Sequence, residues 1–416
     1  MVGGLLKSTS TLALMAAAGL LIGGVTLAPK AARAADLGGD CCADLEERVA
    51  NLEATTVRKG NKKVSLTISG RVAATMTYWM EGSGSIVNTV ANGPFDHNSD
   101  LSFGDASGNG PNLIFKGDGK VSSDLTAGFY LEIGDGFSGS MTQTTHQNGP
   151  SLSGANTYVY LSSKSLGTLQ LGRVDNAGDE YNVNFDGSYM GGYTATRAPG
   201  SFNLRNATGV FTTGHSYLST LETGAKGDGI RYISNDFGGL SFNASTQGDD
   251  NWGAGANFAK SFGTVSVGLG IGYEAYSRAD SCNITVANPA GNNCNELGLS
   301  AGIKESGSGL FLSADYSKRN VDGQSYSPTN MFVNAGWAKN INGMGDTTIH
   351  VAYDRTNDLA GLGSSAHSWV VGIDQAISSA SANVFLAYEN AAIDTAVTPE
   401  VTQSISTITA GMAVKF

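Results

Sequence analysis

The sequence predicts an all-β chain. It reads as a 16-stranded antiparallel transmembrane β-barrel that follows a cleaved signal peptide and a short N-terminal helical coiled-coil segment. Three observations carry this reading. From Val64 to Phe416 apolar residues recur at every second position, so each segment has one apolar and one polar face. The segments run to about ten residues, the length a tilted strand needs to cross a bilayer. Tight turns alternate along the chain with long polar connections.

The first element is a targeting segment. Thr11–Ala28 is one long apolar run, with Lys7 before it and Ala32-Arg33-Ala34 after it. A cationic start, an apolar core and an A-x-A end describe a signal peptide. A single membrane-anchoring helix is the alternative reading. Residues 1–34 are therefore expected to be removed between Ala34 and Ala35, leaving Ala35-Asp36 as the mature terminus. Of the 25 basic residues that piece takes Lys7, Lys30 and Arg33, and it takes no acid, so 22 basic and 36 acidic side chains remain. A formal net charge of −14 argues against nucleic acid as a partner, since phosphate binding needs a cationic surface. It does not argue against a membrane, because a barrel is held by its apolar band.

Residues 35–62 form the next unit. Cys42, Leu45, Val49, Leu52 and Thr56 fall at spacings of three and four, an a/d pattern with charge on the other positions. About two heptads make a marginal helix alone, so the pattern fits either associated copies or a lone helix or tether. Arg58 to Lys63 reads as a basic linker.

The barrel occupies 63–416. Val265, Val267, Leu269, Ile271 and Tyr273 alternate with small polar-phase residues, as do Ile349, Val351 and Tyr353 with His350, Ala352 and Asp354. The expected strands are 64–79, 112–121, 125–133, 156–163, 167–174, 227–235, 239–248 and 252–261. They continue as 264–277, 295–306, 309–318, 329–341, 345–355, 366–378, 381–391 and 401–416. An even number lets the last strand meet the first, and closure is obligatory because an open edge in lipid leaves backbone groups unpaired. A barrel of about sixteen strands leaves an aqueous channel. Outward-phase aromatics near strand ends, among them Tyr78, Tyr273, Tyr316 and Trp337, match the belts at a lipid–water boundary. Short turns at one end and long stretches such as 134–155, 174–226 and 278–294 at the other are the asymmetry of outer-membrane barrels. Cys282 and Cys294, twelve positions apart in a polar stretch, are a candidate loop-stapling disulfide in an oxidising compartment. The adjacent Cys41 and Cys42 fit local pairing, free thiols or a bond between chains.

Several segments resemble a known family. The final strand, Ile408 to Phe416, has the alternation and terminal aromatic of bacterial outer-membrane barrels, where that aromatic is an assembly signal. Asn112–Gly117 with Leu125–Glu132, Tyr158–Leu161 with Leu166–Arg173, and Gly229–Tyr232 resemble the second to sixth strands of general diffusion porins. Ala35-Asp36, the coiled-coil-like stretch and Val64–Val72 look most like alpha-proteobacterial porins. The resemblance covers the first half of the mature chain and the last strand.

It implies a homotrimer in the bacterial outer membrane, with lipid and lipopolysaccharide around it and the barrel-assembly machinery as a partner. It implies passive diffusion of ions and small hydrophilic solutes. It also implies a constriction loop, here 174–226, whose acids Asp175, Asp179, Glu180, Asp186 and Glu222 would face a basic wall. Arg71, Lys116, Lys120 and Arg231 lie on the lumen-facing phase of their strands and would form that wall. Opposed charges would set a transverse field that favours polar solutes. In porins of that branch a mature Ala-Asp terminus is linked to peptidoglycan, so Ala35 is the candidate attachment point. Its α-amine is the suitable nucleophile, being less basic than lysine.

Enzymatic chemistry is not expected. His97, His146, His215, His350 and His367 are isolated, and no G-x-S-x-G elbow appears. Glycines 268, 270 and 272 alternate with lipid-phase residues and read as small lumen-facing positions. His350 reads as a solvated wall residue. No cofactor or metal is expected. A substrate-specific channel and a structural barrel tethering the membrane to peptidoglycan are the alternatives to a general pore.

Overall fold

The computed structural model describes residues 63–81, 99–104, 110–134, 153–187, 189, 204–205, 211–212, 226–248, 250–277, 293–359, 361–394 and 402–416. The signal peptide, the coiled-coil segment, Ala34, Ala35, Cys41, Cys42, Glu222 and Cys282 lie outside them.

The strands are β1 (Ser65–Glu81), β2 (Ser99–Gly104), β3 (Asn112–Lys120), β4 (Leu125–Gly134), β5 (Ser153–Ser163) and β6 (Gly167–Asp175). A pair of two-residue strands follows, β7 (Leu204–Arg205) and β8 (Phe211–Thr212). Next come β9 (Lys226–Ile233), β10 (Leu240–Gln247), β11 (Asn251–Phe262), β12 (Val265–Tyr276) and β13 (Cys294–Glu305). The last are β14 (Leu310–Val321), β15 (Thr329–Lys339), β16 (Thr347–Asn357), β17 (Ser365–Ile377), β18 (Ala382–Asp394) and β19 (Thr402–Lys415).

All but β7 and β8 belong to one antiparallel sheet. β2 and β3 share one place beside β1, since Thr75 faces Gly104 of β2 and Ser65 faces Asp118 of β3. The wall therefore has 16 strand positions. It closes where β1 meets β19, with Arg71 opposite Lys415 and Met76 opposite Ala410. Phe416 continues that seam, exchanging backbone hydrogen bonds of 3.0 Å with Gly70. β9 joins β6 to β10 on the far side.

The burial pattern is inverted relative to a soluble sheet. Val159, Leu171, Leu269, Leu312 and Val351 are exposed, whereas Thr77, Asn334, Asp354 and Ser368 are fully buried. An exposed apolar outside and a polar inside suit a cylinder in lipid. No described helix is long and apolar enough to cross a membrane, so the strands do the crossing.

The short turns are built by side chains that satisfy their own backbone. The Asp236 carboxylate accepts from the amides of Gly238 and Gly239, both at 3.0 Å. Those two glycines have φ of 76° and 108°, which other residues adopt only under strain. The strands differ from the sequence expectation in places, and the short β7–β8 pair falls inside the stretch expected as a loop. β2 is an added piece of the second wall strand. β14 and β16 also run further, to Val321 and Asn357, so the connections after them are shorter than expected.

Candidate functional site

The chain leaving β6 turns into the barrel. Asn176 caps a 3-10 turn at Ala177–Asp179, its side chain accepting from the Gly178 amide at 3.1 Å. Residues 176–187 and Tyr189 then lie along the inner wall, held by one polar contact after another. The Ala177 amide donates to Ser245 Oγ of β10 at 2.8 Å. Asn257 of β11 donates to the Glu180 carbonyl at 2.8 Å. The Val183 amide donates to Ser300 Oγ of β13 at 2.8 Å. Lys304 Nζ of β13 donates to the Phe185 carbonyl at 3.3 Å, and Asn334 of β15 donates to Asp186 Oδ2 at 2.9 Å. The Tyr189 amide donates to Asp374 Oδ2 of β17 at 3.0 Å, and its ring stacks on Phe385 of β18 at 5.4 Å. Tyr189 also shares a buried cluster with Ala73 of β1 and Ala413 of β19. The segment thus follows the wall from β10 round to the closing seam.

Glycine makes this close approach possible. A methyl group added at Gly270 would enter the Tyr181 carbonyl, and one at Gly298 would enter the Tyr181 ring. Gly272 meets the Gly178 carbonyl in the same way, and Gly268 meets Val183. The inward glycines of β12 and β13 form a smooth floor for the segment, a sheet use of glycine where backbone must approach backbone.

On the other side the segment meets cationic side chains. Arg231 of β9, inward and 3% exposed, pairs with Glu180 and lies 3.9 Å from Asp175. Lys226 is 3.4 Å from Asp175, and Asn156 donates to the same carboxylate at 2.9 Å. Asp175, Glu180 and Arg231 are thus brought together. Asp179 lies on the 3-10 turn. Asp186 is 1% exposed and held by Asn334, behind the segment rather than on an open edge.

The remaining wall residues sit on β1 and β3. Arg71 Nε donates to the Gly110 carbonyl at 2.7 Å. Lys116 Nζ is 3.8 Å from Asp118 and 5.8 Å from the Tyr160 ring centre, and Lys120 is exposed near the short-turn end. His350 faces inward but is buried beside Gly372, not solvated as its phase alone suggests. Cys294 is buried and disulfide-bonded. Phe416 is exposed on the outer face.

Sequence reading missed Lys304, and it missed the joint role of Tyr130, Tyr158 and Tyr160. By register all four are inward: Tyr130 pairs with Tyr158, and Tyr160 with the buried Gln170. The signal was present in the phase, since Val159 and Leu161 on either side of Tyr160 point outward. Among the described residues no group of three or more potential metal ligands occurs.

A family model for Gram-negative porins matches residues 13–394. No curated protein matches the sequence. Solved structures similar to this one include the anion-selective porin from Comamonas acidovorans, 15% identical, covering 85% of this chain and all of that one, with a TM-score of 0.56. Salmonella typhi OmpF, in a complex with daunomycin, is 16% identical, covers 87% of this chain and all of that one, and has a TM-score of 0.54. Trimeric Vibrio cholerae OmpT, 11% identical, covers 85% of this chain and all of that one, with a TM-score of 0.55. The chain belongs to the Gram-negative porin family and is a diffusion channel of the bacterial outer membrane.

Proposed function

We propose that the channel is a general pore for ions and small hydrophilic solutes, narrowed by the segment 174–226, and that it works as a homotrimer. The observation that carries this reading is the inner segment itself. Residues 176–187 and Tyr189 run along the wall from β10 to the closing seam, and Asp175 and Glu180 meet Arg231 at the start of that run. Acids and cations of opposite sign facing each other inside the barrel would order water and ions there. In planar bilayers the protein should give ohmic steps that come in threes, and the reversal potential in a salt gradient should show weak selectivity. Single unlinked steps would remove the trimer, and a strongly one-signed reversal potential would remove the balanced constriction.

The remaining assignments belong to the same reading. Residues 1–34 are the export signal, and 35–62 a periplasmic coiled coil and linker of alpha-proteobacterial type. Cys282 is the partner expected for Cys294, stapling the loop between β12 and β13. Phe416 is the assembly signal, supported by its outward position at the closing seam. The chain carries no catalysis. Ala35 is the candidate peptidoglycan linkage. Muramidase digestion and mass spectrometry of the N-terminus should find Ala35 carrying a muropeptide, and only unmodified Ala35 would reject the linkage.

A further inference from the structure

We propose that the wall opposite the inner segment carries a binding site for neutral pyranose sugars, built on Tyr130, Tyr158 and Tyr160. The proposal rests on the diffusion-channel reading and names a class of solute that the channel retains on its way through.

The contacts of the inner segment begin at β9 and run through β10 and β18 to β1, so β3, β4, β5 and β6 are the strands left facing the channel among the described residues. On that face Tyr130 and Tyr158 stack with ring centres 5.1 Å apart and planes 9° apart. Tyr158 and Tyr160 meet edge to face at 6.3 Å. All three are half-buried, so each keeps ring surface in contact with channel water. Residues two apart on a strand are separated by roughly 7 Å, so the rings span about two tiers along the direction of travel. The other inward rings of the described wall, among them Trp79, Tyr276, Phe311, Phe332 and Phe385, are buried and offer no surface to the channel. Such a cluster of lumen-facing rings is not needed to solvate a pore.

The polar rim decides what the rings would hold. Lys116 lies 3.8 Å from Asp118, and the Tyr160 hydroxyl donates to that same carboxylate. Asn112 donates to Glu132 Oε1 at 2.9 Å, one tier further toward the long-loop end. Lys116 stands against Asp118 and Glu132 is held by a neutral amide, so the rim offers donors and acceptors rather than one dominant cation or anion site. A pyranose has an apolar C–H face that lies on an aromatic ring and a rim of hydroxyls. Those hydroxyls donate to carboxylates and accept from ammonium and amide groups, and such mixed partners surround these rings.

The test is current block in planar bilayers carrying KCl, with maltotriose as probe and a polyethylene glycol of similar mass as the ring-free control. Maltotriose should block saturably and the polyether should not. Tyr130→Ala with Tyr158→Ala should weaken the maltotriose block about tenfold, the worth of losing one aromatic pair. Tyr130→Phe with Tyr158→Phe keeps the rings and should keep the block. Heat-modifiable mobility confirms that each variant folds. KCl current with equal, non-saturable reduction by maltotriose and polyether would overturn the sugar site and leave the channel standing. Stronger block by benzylammonium than by maltotriose would overturn it in favour of an aromatic-cation site. Absence of KCl current in the parent protein would overturn the channel reading itself.

Discussion

At the scale of single residues, the lumen is governed by two kinds of position, charges that pair and glycines that make room. Arg231 compensates Asp175 and Glu180. Arg231→Ala leaves Glu180 without this partner and Asp175 with only Lys226 near it. One unit charge about 7 Å from a passing ion in water is worth about 0.6 kcal/mol, or roughly threefold in occupancy. The reversal potential in a KCl gradient should therefore move toward potassium by about that permeability ratio, and an unmoved potential would mean that Arg231 does not face the ion path. Gly298 lies under the Tyr181 ring. Gly298→Leu should push the segment off its floor, costing about 1–3 kcal/mol as an overpacked site. It should appear as earlier thermal loss of the heat-modifiable form together with a changed conductance. The phase of each residue was legible in the sequence, because alternation separates inward Arg231 and Tyr160 from outward Tyr232 and Val159. The pairing of glycine with segment was not legible. Gly270 reads as a small lumen position, but nothing local says that Tyr181, some ninety positions earlier in the chain, lies on it and on Gly298.

At the scale of elements, the strands follow from period-two patterning and the short turns from side chains that cap them. The β3–β4 and β5–β6 turns are tied to each other. Ser163 Oγ donates to Asp124 Oδ2 at 2.7 Å and Ser165 Oγ donates to the same oxygen at 3.2 Å. The Ser163 hydroxyl bond, above all, holds the Asp124 carboxyl below its ordinary range. A carboxyl whose pKa is lower folded than unfolded contributes stability above its unfolded value of about 3.9, and that contribution is lost as pH falls through the folded value. Asp124→Asn should therefore reduce the difference in thermal stability between pH 5 and pH 2–3, measured by heat-modifiable mobility. An unaltered difference would show that this turn does not contribute. β2 escaped sequence reading for a physical reason. Ser99–Gly104 offers only Leu101 and Phe103 to the outer face, too short an alternation to stand out without β1 beside it. The inner segment was legible as a long loop, whereas its course depends on contacts with strands far along the chain, from β10 to β19.

At the scale of the whole molecule, the account requires one closed cylinder, apolar outside and wet inside. Closure at the β1–β19 seam pairs the first strand with the last and leaves no edge there in lipid, and the inner segment takes up part of the lumen so enclosed. The most direct measurement is a cysteine scan of positions 158–162 on β5, with the four native cysteines replaced by serine. Each variant is reconstituted in lipid, then probed with a water-soluble maleimide and, after fluorescent labelling, with a lipid-borne quencher. Positions 159 and 161 should be quenched by lipid and react slowly, whereas 158, 160 and 162 should react readily and escape quenching. Loss of the two-residue rhythm, or equal access of the aqueous reagent to every position, would contradict the barrel.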